Sequence, residues 1–431
     1  MRMFFNKIYL PTLLGVEALT SSELQDLGYA KSQITVDDGE VTLHLDSNQD
    51  AANSIAELNF NLRTAERVLL GLAEFDADNF DQLYDKTFNL PWHEWVDYKY
   101  YLEIIGYSRK SRLHSIPTCQ KIIKKALTDK LDLIYGYPNG VVPEDRGMGN
   151  YRIQFSIIND KVKIRLDTSG EPLHKRGYRP VTHEAPLRET LAAAILMVSF
   201  YKRNLKNGEV LYDPFCGSGT FLIEAALIAS DTAPGIQRHF AGEEYRIIGK
   251  KVFARARELA KEKSLIYNSD LLNEVQLRDL KSDITSSQTS SYIYPGSAPR
   301  IFGSDISSDS IKLAKENAKR AGVDDLIHFE KQDIYQLKRA NLLKKFSTDR
   351  ILFVANPPYG ERLADQEEAK NLANQLCKLC LNEKRSIARG TRLSVLTSDD
   401  YFEKIMGFKA NRRRKLYNGG IRCTLFHYFN F

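Results

Sequence analysis

Among the 431 residues, four short runs combine residue types and spacings that could do chemistry. The first is Asp213-Pro214-Phe215-Cys216-Gly217-Ser218-Gly219-Thr220, a glycine turn opening onto a helix. Glycines let the backbone approach a ligand closely, and the free amides of a helix start favour a carboxylate or phosphate. No lysine follows the glycines, which excludes a nucleotide-triphosphate loop, and Leu222 stands where a dinucleotide fingerprint needs its third glycine. The second run, Gly303-Ser304-Asp305, offers a carboxylate that could accept both hydroxyls of a ribose, or could cap a helix. The third, Lys331-Gln332-Asp333, offers an acceptor for an adenine amino group, or a solvated loop aspartate.

The fourth run, Asn356-Pro357-Pro358-Tyr359, is the most informative. Two prolines stiffen the backbone and remove two donors, leaving carbonyls and the asparagine amide as acceptors beside an aromatic ring. That set suits methylation of an exocyclic amine on a base. The amine lone pair is delocalised into the ring, so it attacks poorly until acceptors hold its hydrogens in a pyramidal arrangement. Asn356 and the Pro357 carbonyl could be those acceptors, and Tyr359 could stack on a flipped base. An NPP turn also ends strands in unrelated folds. Its weight comes from standing in order behind the glycine turn and the two spaced acids.

These runs need a scaffold. After Leu187 strand and helix alternate regularly, the pattern of a parallel sheet covered on both faces, with ligands outside the carboxyl ends of the strands. Strands are expected at 210–212, 300–303, 326–330, 351–355 and 393–397, then a hairpin of 414–417 and 421–429 turning at Asn418-Gly419-Gly420. Ile311, Ala314, Ala318 and Ala321 recur on one helix face, with Gly322 placed as a left-handed cap. The interval 231–299 is too long for a loop, and helical stretches at 254–264 and 271–281 predict an inserted cap. Before the sheet, 1–60 reads as a small α+β unit with a helix at 15–27. Residues 61–167 form a second mixed segment with a basic helix at 117–131, and 168–186 are an ordered linker. Neither amino-terminal segment is long enough to bury much surface alone.

Lys and Arg exceed Asp and Glu by six, 61 against 55, which permits nucleic-acid binding without requiring it. No apolar run approaches the roughly 20 residues of a membrane span, and no cleavable leader is evident. Five scattered cysteines give no disulfide framework and fit a reducing cytoplasm. Cys377 and Cys380 make one CxxC pair, half of a zinc site, on an apolar helix face, so core packing is expected. Cys216 lacks a histidine to activate it and reads as a packing residue, and His114, His174 and His183 are assigned to no metal.

With DPFCGSGT and NPPYGERL in hand, the carboxyl-terminal half resembles class I S-adenosylmethionine-dependent amino-methyltransferases. The chain is similar end to end to the bacterial THUMP-domain 23S ribosomal RNA (guanine-N2)-methyltransferases. Further matches are Gly15-Val16-Glu17-Ala18-Leu19, Ser108-Arg109-Lys110-Ser111-Arg112-Leu113-His114, Leu173-His174-Lys175-Arg176-Gly177-Tyr178-Arg179, Glu189-Thr190-Leu191-Ala192-Ala193 and Ala233-Pro234-Gly235-Ile236. The resemblance implies a Rossmann-like α/β domain at 187–431, a mostly parallel seven-stranded sheet with an antiparallel closing hairpin. Ahead of it come a ferredoxin-like part at 1–60 and a THUMP RNA-binding domain at 61–167.

It further implies S-adenosyl-L-methionine as cofactor. Asp213, Cys216, Gly217 and Gly219 would line its methionine end, Asp305 its ribose, and Asp333 with Ile334 its adenine. Glu189 and Thr190 would open the helix closing over it, while Asn356, Pro357 and Tyr359 would hold the target base. RNA, ribosomal or transfer, would be the partner, gripped by Arg109, Lys110, Arg112, Lys121, Lys124 and Lys125, whose spacing also suits a solvated helix face. Lys175, Arg176 and Arg179 would extend that grip, with the run Arg412–Lys415 as a weaker candidate. Some relatives carry a second methyltransferase, and this chain ends with the hairpin, so one reaction is expected. The rivals are a transfer-RNA guanine-N2 enzyme, a DNA adenine-N6 methyltransferase, and a non-enzymatic RNA-binding assembly factor.

Overall fold

The structure, a computed structural model, describes residues 6–47, 49–97, 99–137, 140, 142–179, 187–267, 300–358, 363–398 and 401–430. The chain divides into two compact units: Met1–Thr12, Ser21–Leu173 and Arg238–Leu259 form the first, and Leu13–Thr20, His174–Gln237 and Ala260–Phe431 the second.

The chain runs β1 (Lys7–Pro11), α1 (Glu17–Asp26), β2 (Ile34–Asp37), β3 (Glu40–His44), α2 (Ala51–Asn61), β4 (Leu69–Asp76), α3 (Phe80–Phe88), α4 (Trp92–Trp95), β5 (Lys99–Arg109), α5 (Ile116–Tyr135), β6 (Glu144–Ile158) and β7 (Lys161–Asp167). These strands make one seven-stranded sheet in the order β2-β3-β1-β4-β7-β6-β5. The two segments separated at residue 60 by composition therefore share a sheet. The joining strand is β4, which pairs antiparallel with both β1 and β7. Its run Leu69-Leu70-Gly71-Leu72 breaks strict alternation, which hides it in the sequence; the register also shifts between Gly71 and Ala73. The basic helix α5 starts at Ile116, just after Ser115, with Pro117 in its first turn, and is followed by Gly136 at φ 63°, the left-handed conformation glycine adopts without strain.

Residues 238–259, expected within a cap on the catalytic half, belong to the first unit. The reason is aromatic packing. Phe240 and Phe253 lie 5.0 and 6.1 Å from Phe60, ring centre to ring centre. Tyr245 stacks on Tyr151 at 4.3 Å and donates its hydroxyl to the Asp167 carbonyl at 2.9 Å. The helical stretch expected at 271–281 lies outside the described residues.

The remaining elements are α6 (Glu189–Val198), α7 (Tyr201–Leu205), β8 (Val210–Asp213), α8 (Thr220–Ala229), α9 (Lys250–Glu262), β9 (Ile301–Asp305), α10 (Ser308–Ala321), β10 (Ile327–Lys331), α11 (Arg339–Phe346), β11 (Ile351–Ala355), α12 (Leu363–Cys380), β12 (Thr391–Thr397), α13 (Phe402–Met406), β13 (Arg412–Asn418) and β14 (Ile421–Phe429). The second sheet has the order β10-β9-β8-β11-β12-β14-β13. Its first five strands are parallel, and β14 and β13 close it antiparallel. One face packs on α6, α8 and α10 through residues such as Leu191, Leu222, Ile223 and Ala318; the other packs on α11, α12 and α13 through Leu342, Leu376 and Phe402. Burial on both faces explains why β8 and β11 are apolar without alternation. The face expected on α10 is the buried one, Ser307 caps its start by accepting from the Ser310 amide at 3.2 Å, and Gly322 ends it at φ 71°. Cys377 and Cys380 lie on the buried face of α12, within the core.

Candidate active site

Strand order reverses at β8, which lies between β9 and β11, so the crevice at its carboxyl end is a topological switch point. Register brings the runs together there. Asp213 pairs with Gly303 of β9, and Tyr212 with Phe353 of β11, three residues before Asn356. The turn after β8 is held from several sides. Phe215 N donates to Asp213 Oδ1 at 2.9 Å, Cys216 N to the Ser304 carbonyl at 2.9 Å, and Gly217 N to Asp305 Oδ2 at 3.0 Å. Asn317 Nδ2 donates to the Ser218 carbonyl at 3.0 Å. Pattern reading passes over Asn317, although a polar residue on the alanine face of α10 is a legible signal.

Two glycines here answer to different constraints. Gly303 has no room: a Cβ would stand 2.1 Å from Leu222 Cδ1 and 3.0 Å from Cys216 Cβ. Gly217, at φ +50°, has nothing within 4 Å of where its Cβ would be, so its lack of a side chain leaves an open cradle beside the turn. Gly219, at φ +85°, leads into α8.

Asp213 is 2% exposed, and burial pushes its carboxyl up to about 8, with the nearby Asp305 carboxylate adding to the shift and the Phe215 amide opposing it. A buried acid held neutral in this way is poised to ionise when a cation arrives. Cys216, 5% exposed, has its thiol pushed well up, first by burial and then by Asp213 and Asp305, so it stays protonated and packs. Asp305 is not the cap of α10, since Ser307 is; its Oδ1 accepts from Ser307 N at 2.9 Å. Asp333 caps a single turn, accepting from Tyr335 N at 2.9 Å, and Ile334 is buried beside it. Ile306, next to Asp305, is 64% exposed. An exposed isoleucine beside this acid fits one face of a planar base, and it is a residue the sequence reading omits. An open cradle, a neutral buried acid and apolar flanks thus fit a cationic nucleoside such as S-adenosylmethionine. Pro357 is buried and Pro358 exposed; Tyr359 lies outside the described residues.

The cation assignments need correction in part. Arg176, 3% exposed, sits against Glu224, and Arg179 pairs with Glu189 at 2.7 Å with its side chain 14% exposed. Both are enclosed and paired within the second unit, so neither is presented to a phosphate backbone. Glu189, the first residue of α6, holds Arg179 with both carboxylate oxygens. In the first unit Lys124 is partly buried and binds the Leu102 carbonyl and Glu144, while Arg112 pairs with Asp78 and Lys125 with Asp129. Arg109, Lys110 and Lys121 are exposed, as is Lys175 in the second unit. Among the described residues no cluster of His, Cys, Asp and Glu could hold a metal, and no helix is long and apolar enough to cross a membrane.

Fold and site together define a class I methyltransferase, a class that takes its methyl group from S-adenosylmethionine. Three family models match: "RMKL-like, methyltransferase domain" over residues 176–427, "RlmL ferredoxin-like domain" over 7–69 and "THUMP domain" over 77–167. The chain belongs to the RMKL-like methyltransferase family and carries a THUMP domain. It is 35% identical over 419 residues to a Bacillus subtilis protein named "Putative RNA methyltransferase YpsC", covering 97% of this chain and 94% of that one. It is 32% identical over 422 residues to the "Ribosomal RNA large subunit methyltransferase K/L" of Psychromonas ingrahamii, covering 97% of this chain and 50% of the relative, so it spans about half the length of that enzyme. Among solved structures it resembles a "predicted N6-adenine-specific DNA methylase" from Listeria monocytogenes, at TM-score 0.79, 32% identity and 99% and 96% coverage. It also resembles SMU.472, "a putative methyltransferase complexed with SAH", at TM-score 0.77, 29% identity and 99% and 98% coverage.

Proposed function

We propose that this enzyme methylates the exocyclic N2 amine of a guanine in 23S ribosomal RNA. The observation that carries the reading is the placement of the turn after β8 and of Asn356-Pro357 at the ends of two paired strands, so that donor pocket and acceptor run open into one crevice. When bound, S-adenosylmethionine supplies an electrophilic methyl group on a sulfonium. Gly217 would leave room for its methionine end, Asp213 and Asp305 would hold its positive charge and ribose, and Asp333, Ile334 and Ile306 would hold its adenine. Asn356 and the Pro357 carbonyl accept the hydrogens of the target amine, which frees the nitrogen lone pair to attack in line. The proton on the alkylated nitrogen becomes acidic as the methyl arrives and is lost to solvent, so a dedicated base is optional. Tyr359 stacks on the flipped base.

Residues 61–167 form the RNA-binding module in this reading, with Arg109, Lys110 and Lys121 the cations available to phosphates, while Arg112, Lys124 and Lys125 hold carboxylates of the module itself. The names of the ribosomal relatives and the THUMP match favour RNA over DNA. The test is nucleoside mass spectrometry of 23S ribosomal, transfer and genomic nucleic acid from a deletion strain, with in vitro methylation of the unmodified RNA. Loss of one N2-methylguanosine from 23S RNA is expected. Loss from transfer RNA alone, or of N6-methyladenine from DNA, would replace the reading with one of its rivals.

A further inference from the structure

The stretch His174–Arg179, expected to grip RNA, is anchored inside the methyltransferase unit by buried charged groups. Arg176 Nε lies 3.5 Å from Glu224 Oε1, and the Tyr178 hydroxyl donates to the same oxygen at 3.2 Å; Glu224 is fully buried within α8. Arg179 does something more specific. Its Nε donates to Glu189 Oε1 at 2.8 Å and its Nη2 lies 2.7 Å from Oε2, while Nη1 donates to the Leu187 carbonyl and to Thr220 Oγ1, both at 3.2 Å. Glu189 is the first residue of α6 and Thr220 the first of α8. One guanidinium therefore ties two helix starts together. Thr220 Oγ1 also lies 3.4 Å from Ser218 Oγ inside the glycine turn, a contact in which either hydroxyl can donate.

We propose that Arg179 is a positioning residue for the donor pocket: its fork fixes the start of α6 against the start of α8 and, through Thr220, the glycine turn between β8 and α8. The proposal rests on the reading that this turn holds S-adenosylmethionine. Charge neutralisation alone would not need this geometry. A glutamate in the first turn of a helix is already favoured by the helix dipole, and a lysine could neutralise Glu189 as a point charge. A planar fork with separate donors is what reaches a carboxylate, a carbonyl and a hydroxyl at once. With its donors spent on Glu189, Leu187 and Thr220, Arg179 acts through where the pocket walls stand, and displacement of a pocket wall by about 1 Å is enough to cost binding or rate up to roughly 100-fold.

The test measures S-adenosylhomocysteine affinity by calorimetry for the full chain, R179K and the double variant R179Q/E189Q, alongside melting temperature and steady-state kinetics. R179K keeps the charge and loses the fork; the double variant removes both charges, so no ion is left buried alone. Both are expected to fold and to bind S-adenosylhomocysteine roughly 10-fold or more weakly, with KM for the donor raised, KM for RNA unchanged and kcat at saturating donor within about threefold of wild type. Wild-type affinity in R179K would show that charge is all the site needs. Wild-type affinity in the double variant would reduce the pair to a structural ion pair. Either result overturns the proposal while the donor reading stands, whereas a wild-type protein that does not bind S-adenosylhomocysteine overturns both.

Discussion

Asp305 Oδ2 accepts the Gly217 amide at 3.0 Å, so the acid closing β9 and the turn following β8 move as one hydrogen-bonded unit. Its other oxygen takes the Ser307 amide at 2.9 Å, which leaves each oxygen one further lone pair for a ligand. The acid is thus a brace for the cradle that keeps acceptor capacity on each oxygen, as its proposed contact with a vicinal diol requires. Replacing it by alanine removes both functions, and cofactor binding is expected to weaken by about 1.5 to 3 kcal/mol in a calorimetric titration. Asn at the same position keeps one acceptor and should recover part of the loss. An unchanged dissociation constant in the alanine variant would remove Asp305 from the site.

Asp213 makes the donor site pH-dependent. Its carboxyl is neutral in the folded protein up to about pH 8, whereas the same group in an unfolded chain ionises near pH 4. A raised folded-state value means that the stability it contributes is complete below about pH 4 and is lost as pH climbs towards 8. Asp213→Asn, which still accepts from the Phe215 amide, should flatten that decline and melt higher than wild type near pH 8. Cofactor binding is expected to have the opposite slope. A cationic ligand favours the ionised acid, so binding releases a proton and affinity rises with pH up to about 8. Calorimetry in buffers of different ionisation enthalpy reads the released proton directly, and its absence in wild type would contradict the assignment.

How much of this was legible in the sequence follows from what kind of force builds each part. The five parallel strands and α10 declare themselves because a doubly covered sheet needs continuous apolar runs and an amphipathic helix needs one apolar face, as Ile311, Ala314, Ala318 and Ala321 supply. The strand ends then fall where Asp213, Asp305, Asp333 and Asn356 stand. β4 was not legible, since a strand joining two segments is specified by partners far along the chain, Asp167 opposite Leu69 for example. The placement of Phe240 and Phe253 on Phe60 was hidden for the same reason. Arg176 and Arg179 were misplaced for a different reason. A sequence shows that Arg176 and Arg179 are charged but not that Glu224 and Glu189 wait to enclose them.

Gly217 and Gly303 should separate strain from space. Gly303→Ala drives a methyl group to 2.1 Å from a buried leucine, Leu222, and is expected to destabilise by about 1 to 3 kcal/mol, read as a lower melting temperature with or without ligand. Gly217→Ala meets no atom; its cost in the free protein is the left-handed φ of +50°, about 1 kcal/mol. Its larger effect should be on cofactor affinity, because the methyl fills the cradle. If Gly217→Ala binds S-adenosylhomocysteine as well as wild type, the ligand does not approach the turn there.

Lys110 and Lys121 are exposed and, among the described residues, hold no carboxylate in an ion pair, unlike Lys125 on the same helix as Lys121. Replacing Lys110 and Lys121 by glutamine should lower RNA affinity and reduce the slope of log affinity against log salt by roughly one for each phosphate that is no longer neutralised. Cofactor affinity should not change. A salt slope identical to wild type would show that this face of the THUMP module is merely solvated.

Asn356 follows a strand buried along its length and precedes a buried proline, Pro357, so its backbone is fixed while its side chain is half-buried at the crevice. Its proposed partner, the amine hydrogen, needs it most when the nitrogen leaves the plane of the base ring, which happens only as the methyl is transferred. An interaction made in the transition state and weak in the ground state lowers kcat and kcat/KM together when removed, and leaves substrate affinity nearly unchanged. Asn356→Ala is therefore expected to bind S-adenosylhomocysteine and RNA close to wild type, while losing turnover by roughly 100- to 1,000-fold, the usual range for one preorganised polar group acting on developing charge. Asn356→Asp separates the two roles an amide can play. A carboxylate still accepts from the amine and should retain more activity than alanine, whereas equal activity of the two variants would mean that the side chain donates, or acts elsewhere. Single-turnover rates with saturating RNA isolate the chemical step from product release, and proportional losses in binding and rate would assign Asn356 to ground-state recognition of the base.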